Sequence, residues 1–231
     1  MYDYLIATLI LCAVWGLIFL IRKDLRQPLF WGGGVYVFLI VPVTFLVKAL
    51  GQMFEGVSWR FPDSWLAKET LWNLGAKTGI MGIEDVLLMI VVGGLAATAY
   101  EIFSPHRIRN TEKHHHILSV ITFLVSYVAI AFLSPWDPVW NLILSSFLGW
   151  LVIMIQRRDL FFASIAGAFT FFTVYVIGFL LYHMATGEVA WNLKNLTVIA
   201  YPFPLKELLY ALSLGLIWTP LYEYVTGKSI T

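Results

Sequence analysis

The chain has 231 residues, of which 60% are hydrophobic and only 13% are charged. Soluble domains carry about 25% charged residues, so this composition excludes an ordinary soluble protein and predicts one that uses the lipid bilayer as its solvent. A net charge of +1 offers no basic surface to nucleic acid, and a single cysteine, Cys12, excludes a disulfide framework or a cysteine metal cluster.

Apolar segments long enough to cross a bilayer follow one another along the chain, since a spanning helix needs roughly 17–20 such residues. The predicted spans are 3–21, 29–47, 79–100, 116–134, 139–155, 160–183 and 204–224. The long loop 48–78 is rich in Trp and Phe and is predicted to lie at the membrane interface. The sequence therefore predicts an all-α, polytopic membrane protein with seven transmembrane helices.

Lys and Arg are distributed unequally over the predicted loops. The loops after the first, third and fifth spans, together with the C-terminal tail, carry nine, whereas the other loops carry five, mostly within 48–78. The positive-inside rule then places the N-terminus outside and the C-terminus in the cytoplasm. We predict a multi-pass protein of the cell membrane.

Three sequence landmarks occur twice in the same order. They are WGLIFLIRKDL and WLVIMIQRRDL (15–25 and 150–160), WNLGAKTGI and WNLKNLTVI (72–80 and 191–199), and the segments that begin at Gly82 and Pro204. The duplication predicts one membrane domain, 1–231, built from two three-helix units, 1–101 and 136–231, joined by a linker with the fourth helix, 102–135. A single inserted helix gives both units the same membrane orientation, hence a parallel 3+1+3 repeat with sites where the repeats meet.

Carboxylates stand at the start of the third and seventh spans, in Glu84-Asp85 and Lys206-Glu207, and Asp85 aligns with Glu207. Charges in an apolar span cost free energy and are usually kept for a function. If the two spans meet, a low-dielectric pocket would hold one acid neutral as a proton donor while its partner accepts a proton. Helix capping at the interface is the structural alternative, since acids in a first turn favour the helix dipole.

Polar and aromatic residues near these motifs are candidates for a substrate pocket. Lys206 either pairs with Glu84 or Asp85 or extends to the interface. Aromatic rings could stabilise a carbocation, and the two repeated asparagines either contact the substrate or cap loops. The candidates for substrate binding are Lys206, Trp72, Asn73, Trp191, Asn192, Tyr210 and Trp218.

Two other clusters are predicted to be structural. A cluster of four histidines with Glu112 lacks the spacing of a structural metal site, so we predict a polar cytoplasmic loop and no metal. The histidines are His106, His114, His115 and His116. The matched pairs Tyr100-Glu101 and Tyr222-Glu223 are expected to anchor the inner helix ends. Their nearest cations are expected to be Arg22, Arg26, Arg157 or Arg158.

Seven spans in a three-one-three arrangement, with Gly82-Ile83-Glu84-Asp85 and Pro204-Leu205-Lys206-Glu207 opening spans three and seven, resemble the integral-membrane lycopene cyclase domain family. Gly82 stands where that family usually has Pro, and Lys206 stands where it has an acid. The resemblance implies a redox-neutral cyclisation, without flavin, of the ψ-ends of lycopene or another isoprenoid dissolved in the bilayer.

The resemblance also implies roles for the acids. Glu84 and Asp85 would be the acid/base pair, with Glu207 as the partner from the second repeat. Two alternatives from other classes stay open, a small proton-coupled carrier of the 3+1+3 type and a non-catalytic membrane interaction protein. The carrier predicts proton-dependent uptake, and the interaction protein predicts inactivity on every polyene.

Overall fold

The computed structural model describes residues 3–53, 82–103, 108–109, 116–134, 138–187, 198–200, 203–227 and 229–230. Within these ranges there are seven α-helices, in the order of the seven predicted spans. They are α1 (Asp3–Ile21), α2 (Arg26–Met53), α3 (Ile83–Phe103), α4 (Leu118–Leu133), α5 (Pro138–Gln156), α6 (Phe161–Thr186) and α7 (Leu205–Thr226). The all-α class is confirmed.

Strands are few and short in the described residues. β1 (Ile108–Arg109) pairs with β4 (Ser229–Ile230), and β2 (Val198–Ala200) pairs with β3 (Phe203–Pro204), both antiparallel. The largest departure from the predicted bounds is α2, which extends past 29–47 at both ends. Polar residues there end the apolar stretch but do not prevent helix formation.

Four helical segments of the described chain are long and apolar enough to cross a membrane: Lys23–Leu46, Ile83–Ile102, Val139–Gln156 and Arg158–Thr186. Two further apolar helices, Leu5–Ile21 and Leu118–Leu133, are shorter. Large apolar side chains cover much of the outer surface, among them Leu20, Phe38, Leu133 and Ile155. Such a surface is consistent with a membrane protein, whose surroundings are as apolar as its core.

Helices α3 and α7 form the centre of the bundle. Every residue from Val91 to Ala99 of α3 and from Ile217 to Tyr224 of α7 is buried, as expected of helices surrounded on all sides. The Thr219 hydroxyl donates a hydrogen bond of 2.9 Å to the carbonyl oxygen of Ala96. The predicted meeting of the third and seventh spans is therefore observed.

Small residues let α2 approach α3, and α6 approach α7, at equivalent places. A Cβ added to Gly32 would collide with Ala97, and a Cβ added to Gly167 would collide with Thr219. These two pairs are related by the same sequence offsets as the repeated landmarks. Close approach through glycine is common where helices associate in membranes. Gly34 belongs to the same run of three glycines as Gly32, but a Cβ on Gly34 would meet nothing within 4 Å.

The turn between the first two helices also has the same geometry in both halves. Arg22 donates two hydrogen bonds to the Asp24 carboxylate, at 3.0 and 2.8 Å. Arg157 donates two to Asp159, at 2.9 and 2.7 Å. The surroundings differ, because the Arg22 side chain is 30% exposed and the Arg157 side chain only 4%.

Helix α4 lies against α5 and α7. The Ser119 hydroxyl donates to the Gly149 carbonyl of α5 at 2.8 Å, and the ring of Phe123 contacts Trp218 of α7 edge-on. On the opposite side of the bundle α1 touches α6 directly, with Leu11 against Gly178. The arrangement around α3 and α7 is therefore not symmetric.

Candidate functional site

Helix α2 runs antiparallel to α7. The Trp218 indole N–H donates to the Gly32 carbonyl at 3.2 Å, and the hydroxyls of Tyr36 and Tyr210 lie 2.7 Å apart. Residue numbers thus rise along α2 as they fall along α7. The N-terminal end of α7 lies beside the middle of α2.

Helix α2 is antiparallel to α3 as well. Leu29 lies against Gly94, and Gly33 lies against Ile90, so the order is again reversed. Two helices that are each antiparallel to a third run in the same direction. The carboxylates that open α3 and α7 therefore lie at the same end of the bundle.

The two acids that open α3 have different surroundings. Glu84 is buried, with 1% exposure, whereas Asp85 is half-buried. The Asp85 carboxylate accepts a hydrogen bond of 2.6 Å from the backbone N–H of Gly82, the residue before the helix. A side chain at the third helical position that satisfies the N–H before the helix is half of a capping box. The capping alternative thus applies to Asp85, while Glu84 is the enclosed acid.

In α7 the second residue of the pair is the enclosed acid. Glu207 is buried, with 8% exposure, and its Oε2 accepts a hydrogen bond of 3.0 Å from the hydroxyl of Tyr175 on α6. Lys206 is half-buried. Adjacent residues of an α-helix project about 100° apart, so Lys206 does not share the direction of Glu207.

Three tyrosines from three helices surround Glu207, and we name Tyr36, Tyr175 and Tyr210 the tyrosine cluster. Beside the Tyr36–Tyr210 hydroxyl contact, the rings of Tyr175 and Tyr210 meet edge-on with centroids 6.1 Å apart. Of the three, Tyr175 contacts the Glu207 carboxylate directly, and Tyr210 connects Tyr175 to Tyr36. The cluster brings hydroxyl groups and π faces together at a buried carboxylate.

Sequence reasoning selected Tyr210 of this cluster but missed Tyr36 and Tyr175. A signal for Tyr175 exists, because Phe171, Tyr175 and Tyr182 follow one face of α6 at helical spacing, and all three are buried. The pairing with Glu207 was not readable, since it depends on how α6 lies against α7.

An apolar crevice of about 20 Å³ opens beside Tyr175, between α1, α3 and α6. It is lined by Ala7, Leu11, Leu88, Tyr175, Gly178, Phe179 and Tyr182. Leu88 lies one helical turn after Glu84, and Tyr175 contacts Glu207. The crevice thus borders the elements that carry both buried acids, and its lining is almost entirely apolar.

Of the remaining residues predicted to line a substrate pocket, the structure describes Trp218 but not the repeated Trp and Asn candidates. Trp218 is fully buried at the centre, where its ring meets Tyr36 edge-on at 4.9 Å. The repeated Trp and Asn candidates lie outside the described residues and stay predictions: Trp72, Asn73, Trp191 and Asn192.

At the opposite end of the central helices, Glu101 and Glu223 are buried. Arg22 donates a hydrogen bond of 2.8 Å to the Ile102 carbonyl, and the charge of Glu101 acts on it. The predicted proximity of Arg22 to Glu101 is therefore observed. Of the loop histidines, His116 is described and stacks on Tyr224, and no group of three potential metal ligands occurs among the described residues.

Comparison with known proteins gives one match. A family model described as "Lycopene cyclase" matches residues 2–103 and 137–225, two stretches that contain α1–α3 and most of α5–α7 and omit α4. No curated protein and no solved structure matches the chain. Because the matched residues make up most of the sequence, the chain belongs to the lycopene cyclase family.

Proposed function

We propose that this protein is a membrane carotenoid cyclase that closes the acyclic ψ-ends of lycopene, or of a related polyene, without net oxidation or reduction. The observation that carries the proposal is the burial of two carboxylates, Glu84 and Glu207, at one end of the bundle. Tyr175, which is hydrogen-bonded to Glu207, also lines an apolar crevice. Family membership supports this activity over the carrier and the interaction protein.

We extend the proposal to the arrangement in the membrane. All seven helices would cross the bilayer as a parallel 3+1+3 repeat, with the N-terminus outside and the C-terminus in the cytoplasm. The equivalent glycine contacts of α2 with α3 and of α6 with α7 support the repeat. The parallel direction of α3 and α7 is what a parallel repeat requires.

In the proposed mechanism Glu84 is the proton donor. The side chain of Glu84 is enclosed by the bundle, which keeps bulk water away from the proton that it donates. The π electrons of the terminal double bond form a new C–H bond with that proton and leave a tertiary carbocation. A neighbouring double bond attacks this cation and closes a six-membered ring, which moves the positive charge to a ring carbon.

Glu207 is the proposed base. The Tyr175 hydroxyl donates a hydrogen bond to its Oε2, which orients the carboxylate. Glu207 takes a proton from a carbon next to the cation, and the electrons of that C–H bond become the ring double bond. One proton is added and one is removed, so the electrons balance without an oxidant. The faces of the tyrosine cluster favour the cationic intermediate.

Pigment analysis in lycopene-producing cells tests the proposal. The wild-type chain should convert lycopene to a cyclic product, and Glu84→Gln should reduce conversion by about 100-fold or more, as expected for a general acid. The amount of each variant in the membrane fraction is measured in parallel. Unchanged conversion by Glu84→Gln would contradict the mechanism. Proton-dependent uptake by vesicles without any cyclisation would favour the carrier instead.

Asp85→Asn separates capping from acid/base chemistry. An asparagine oxygen can still accept the Gly82 N–H, so the cap survives while the titratable group is lost. We expect this variant to retain conversion within about threefold, the small loss of a neutral cap. If Asp85→Asn loses conversion although as much protein reaches the membrane as in the wild type, Asp85 acts in acid/base chemistry together with Glu84.

A further inference from the structure

Tyr175 contacts the buried acid and the crevice at the same time. Its hydroxyl donates to Glu207 Oε2 at 3.0 Å, while the residue lines the crevice together with Leu11 and Leu88. A polyene end that widened this crevice on entering would therefore lie next to the residue that holds the carboxylate. This contact is the basis of an inference that rests on the proposed function.

The ring of Tyr175 is held on several sides. Phe171 and Phe179, one turn before and one turn after it on α6, have ring centroids at 5.8 and 5.0 Å, and Tyr210 of α7 meets it edge-on. Aromatic contacts of this kind add to the burial energy, and an enclosed ring has few alternative rotamers. The hydroxyl therefore has a fixed position, and so does the carboxylate oxygen bonded to it.

The equivalent positions of the first half cannot form such a pair. At the offset that relates Trp15 to Trp150, the equivalent of Tyr175 is Ile40, which is buried but has no hydroxyl. The equivalent of Glu207 is Asp85, which caps α3. Since α2 packs against α3 through the same kind of glycine contact as α6 against α7, the hydroxyl–carboxylate pair is not needed for this packing.

A fixed base matters because the ring cation can lose any of three kinds of proton. The cationic carbon is bonded to the ring carbon that carries the polyene chain, to a ring methylene and to a methyl group. Removing a proton from each of these neighbours places the new double bond differently, and each loss is redox-neutral. The position of the base relative to the cation thus decides which ring isomer forms.

We propose that Tyr175 is a positioning residue that selects the ring isomer, by holding Glu207 Oε2 at one place beside the crevice. Its hydroxyl does not touch the reacting carbons. It fixes the direction from which Glu207 removes the proton, and the adjoining crevice residues fix the cyclic cation.

Tyr175→Phe tests this role, because it keeps the ring and removes the hydroxyl. In lycopene-producing cells we expect conversion to fall by about tenfold or more, the usual consequence of removing a hydrogen bond to a charged group. We also expect the ratio of ring isomers, separated by chromatography, to shift toward isomers that the wild type makes in minor amounts. Tyr224→Phe is the matched control, because its hydroxyl bonds to Gln156 at the other end of α7, and its isomer ratio should equal that of the wild type.

The outcomes separate this inference from the proposed function. A wild-type ratio in Tyr175→Phe would overturn the positioning role while leaving the cyclase intact. Absence of cyclic product from the wild type itself would overturn the proposed function. If Tyr175→Phe gives too little protein or product to measure the ratio of ring isomers, Glu207→Asp is measured instead. This variant shortens the side chain by one methylene and so moves the carboxylate, and the ratio is expected to change. An unchanged ratio in Glu207→Asp would likewise overturn the positioning role.

Discussion

Helices α2 and α3 of the first half, and α6 and α7 of the second, pack through glycines at equivalent positions but carry different chemistry at the carboxylate end. The second half has Tyr175 bonded to Glu207, whereas the equivalent residues of the first half are Ile40 and the capping Asp85. Contacts through glycine set the distance between helix axes, so a larger residue there must displace a whole helix. A side chain at the site can change without moving a helix. The comparison shows a shared scaffold with locally different chemistry.

The buried acids also occupy different places in the two aligned motifs. Glu84 is the first residue of its pair and Glu207 the second, and the sequence equivalent of Glu84 is Lys206. Alignment of the repeats therefore does not identify which acids are enclosed. The comparison can be tested by substituting neighbouring residues, or equivalent residues of the two halves, and comparing the losses of lycopene conversion or of stability.

The largest expected difference lies between two neighbours on α7. Glu207→Gln should lower conversion of lycopene by about 100-fold or more, because it removes the proposed base. Lys206→Gln should lower it by about tenfold or less, because an exposed or half-exposed charge contributes less. Product per amount of membrane-inserted protein is the measurement. Equal losses would show that the burial of Glu207 does not set its role.

The next largest effect is a difference in stability between substitutions of two neighbouring glycines, Gly32 and Gly34. Gly32→Ala adds a methyl group that collides with Ala97, and overpacking of this kind costs about 1–3 kcal/mol. Gly34→Ala is the matched control, because its added methyl meets nothing within 4 Å. It should leave stability unchanged or raise it slightly, since Ala favours helix more than Gly does.

Thermal unfolding in detergent measures both variants, and Gly167→Ala extends the test to the second half. Its methyl would collide with Thr219, the equivalent of Ala97. We expect a loss similar to that of Gly32→Ala. A destabilised Gly34→Ala would show that close contact does not explain the loss in Gly32→Ala. A tolerated Gly167→Ala would show that the two helix pairs are not equivalent.

The smallest expected effect is a difference in the free energy of unfolding between variants of Arg22 and Arg157, the arginines of the two equivalent turns. Arg22→Gln should cost about 1 kcal/mol or less, since the Arg22–Asp24 pair is largely exposed. Arg157→Gln should cost more, about 2 kcal/mol, because a buried arginine also loses contacts along its apolar stem. Denaturant titration of the two variants under the same conditions measures the difference. A larger loss for Arg22→Gln would contradict this ranking.

The helices were predictable from sequence because their signal is local. Each apolar stretch, such as 3–21 or 204–224, is close to the corresponding helix in the structure, since length and hydropathy alone decide whether a segment can be a buried helix. The duplicated landmarks were readable for the same reason. The carboxylates that open α3 and α7 were visible because charges are rare in such segments.

The identity of the enclosed acids and of their partners was decided by tertiary structure. In a membrane protein both lipid-facing and core-facing residues are apolar, so hydropathy does not indicate which side of a helix faces its neighbours. Tyr36 and Tyr210 lie 174 positions apart, and Tyr175 reaches Glu207 from another helix. Sequence thus determined the helices, their repetition and the presence of acids. Helix packing determined that Glu84 and Glu207 are buried, that Asp85 is a cap and that a tyrosine holds the second acid.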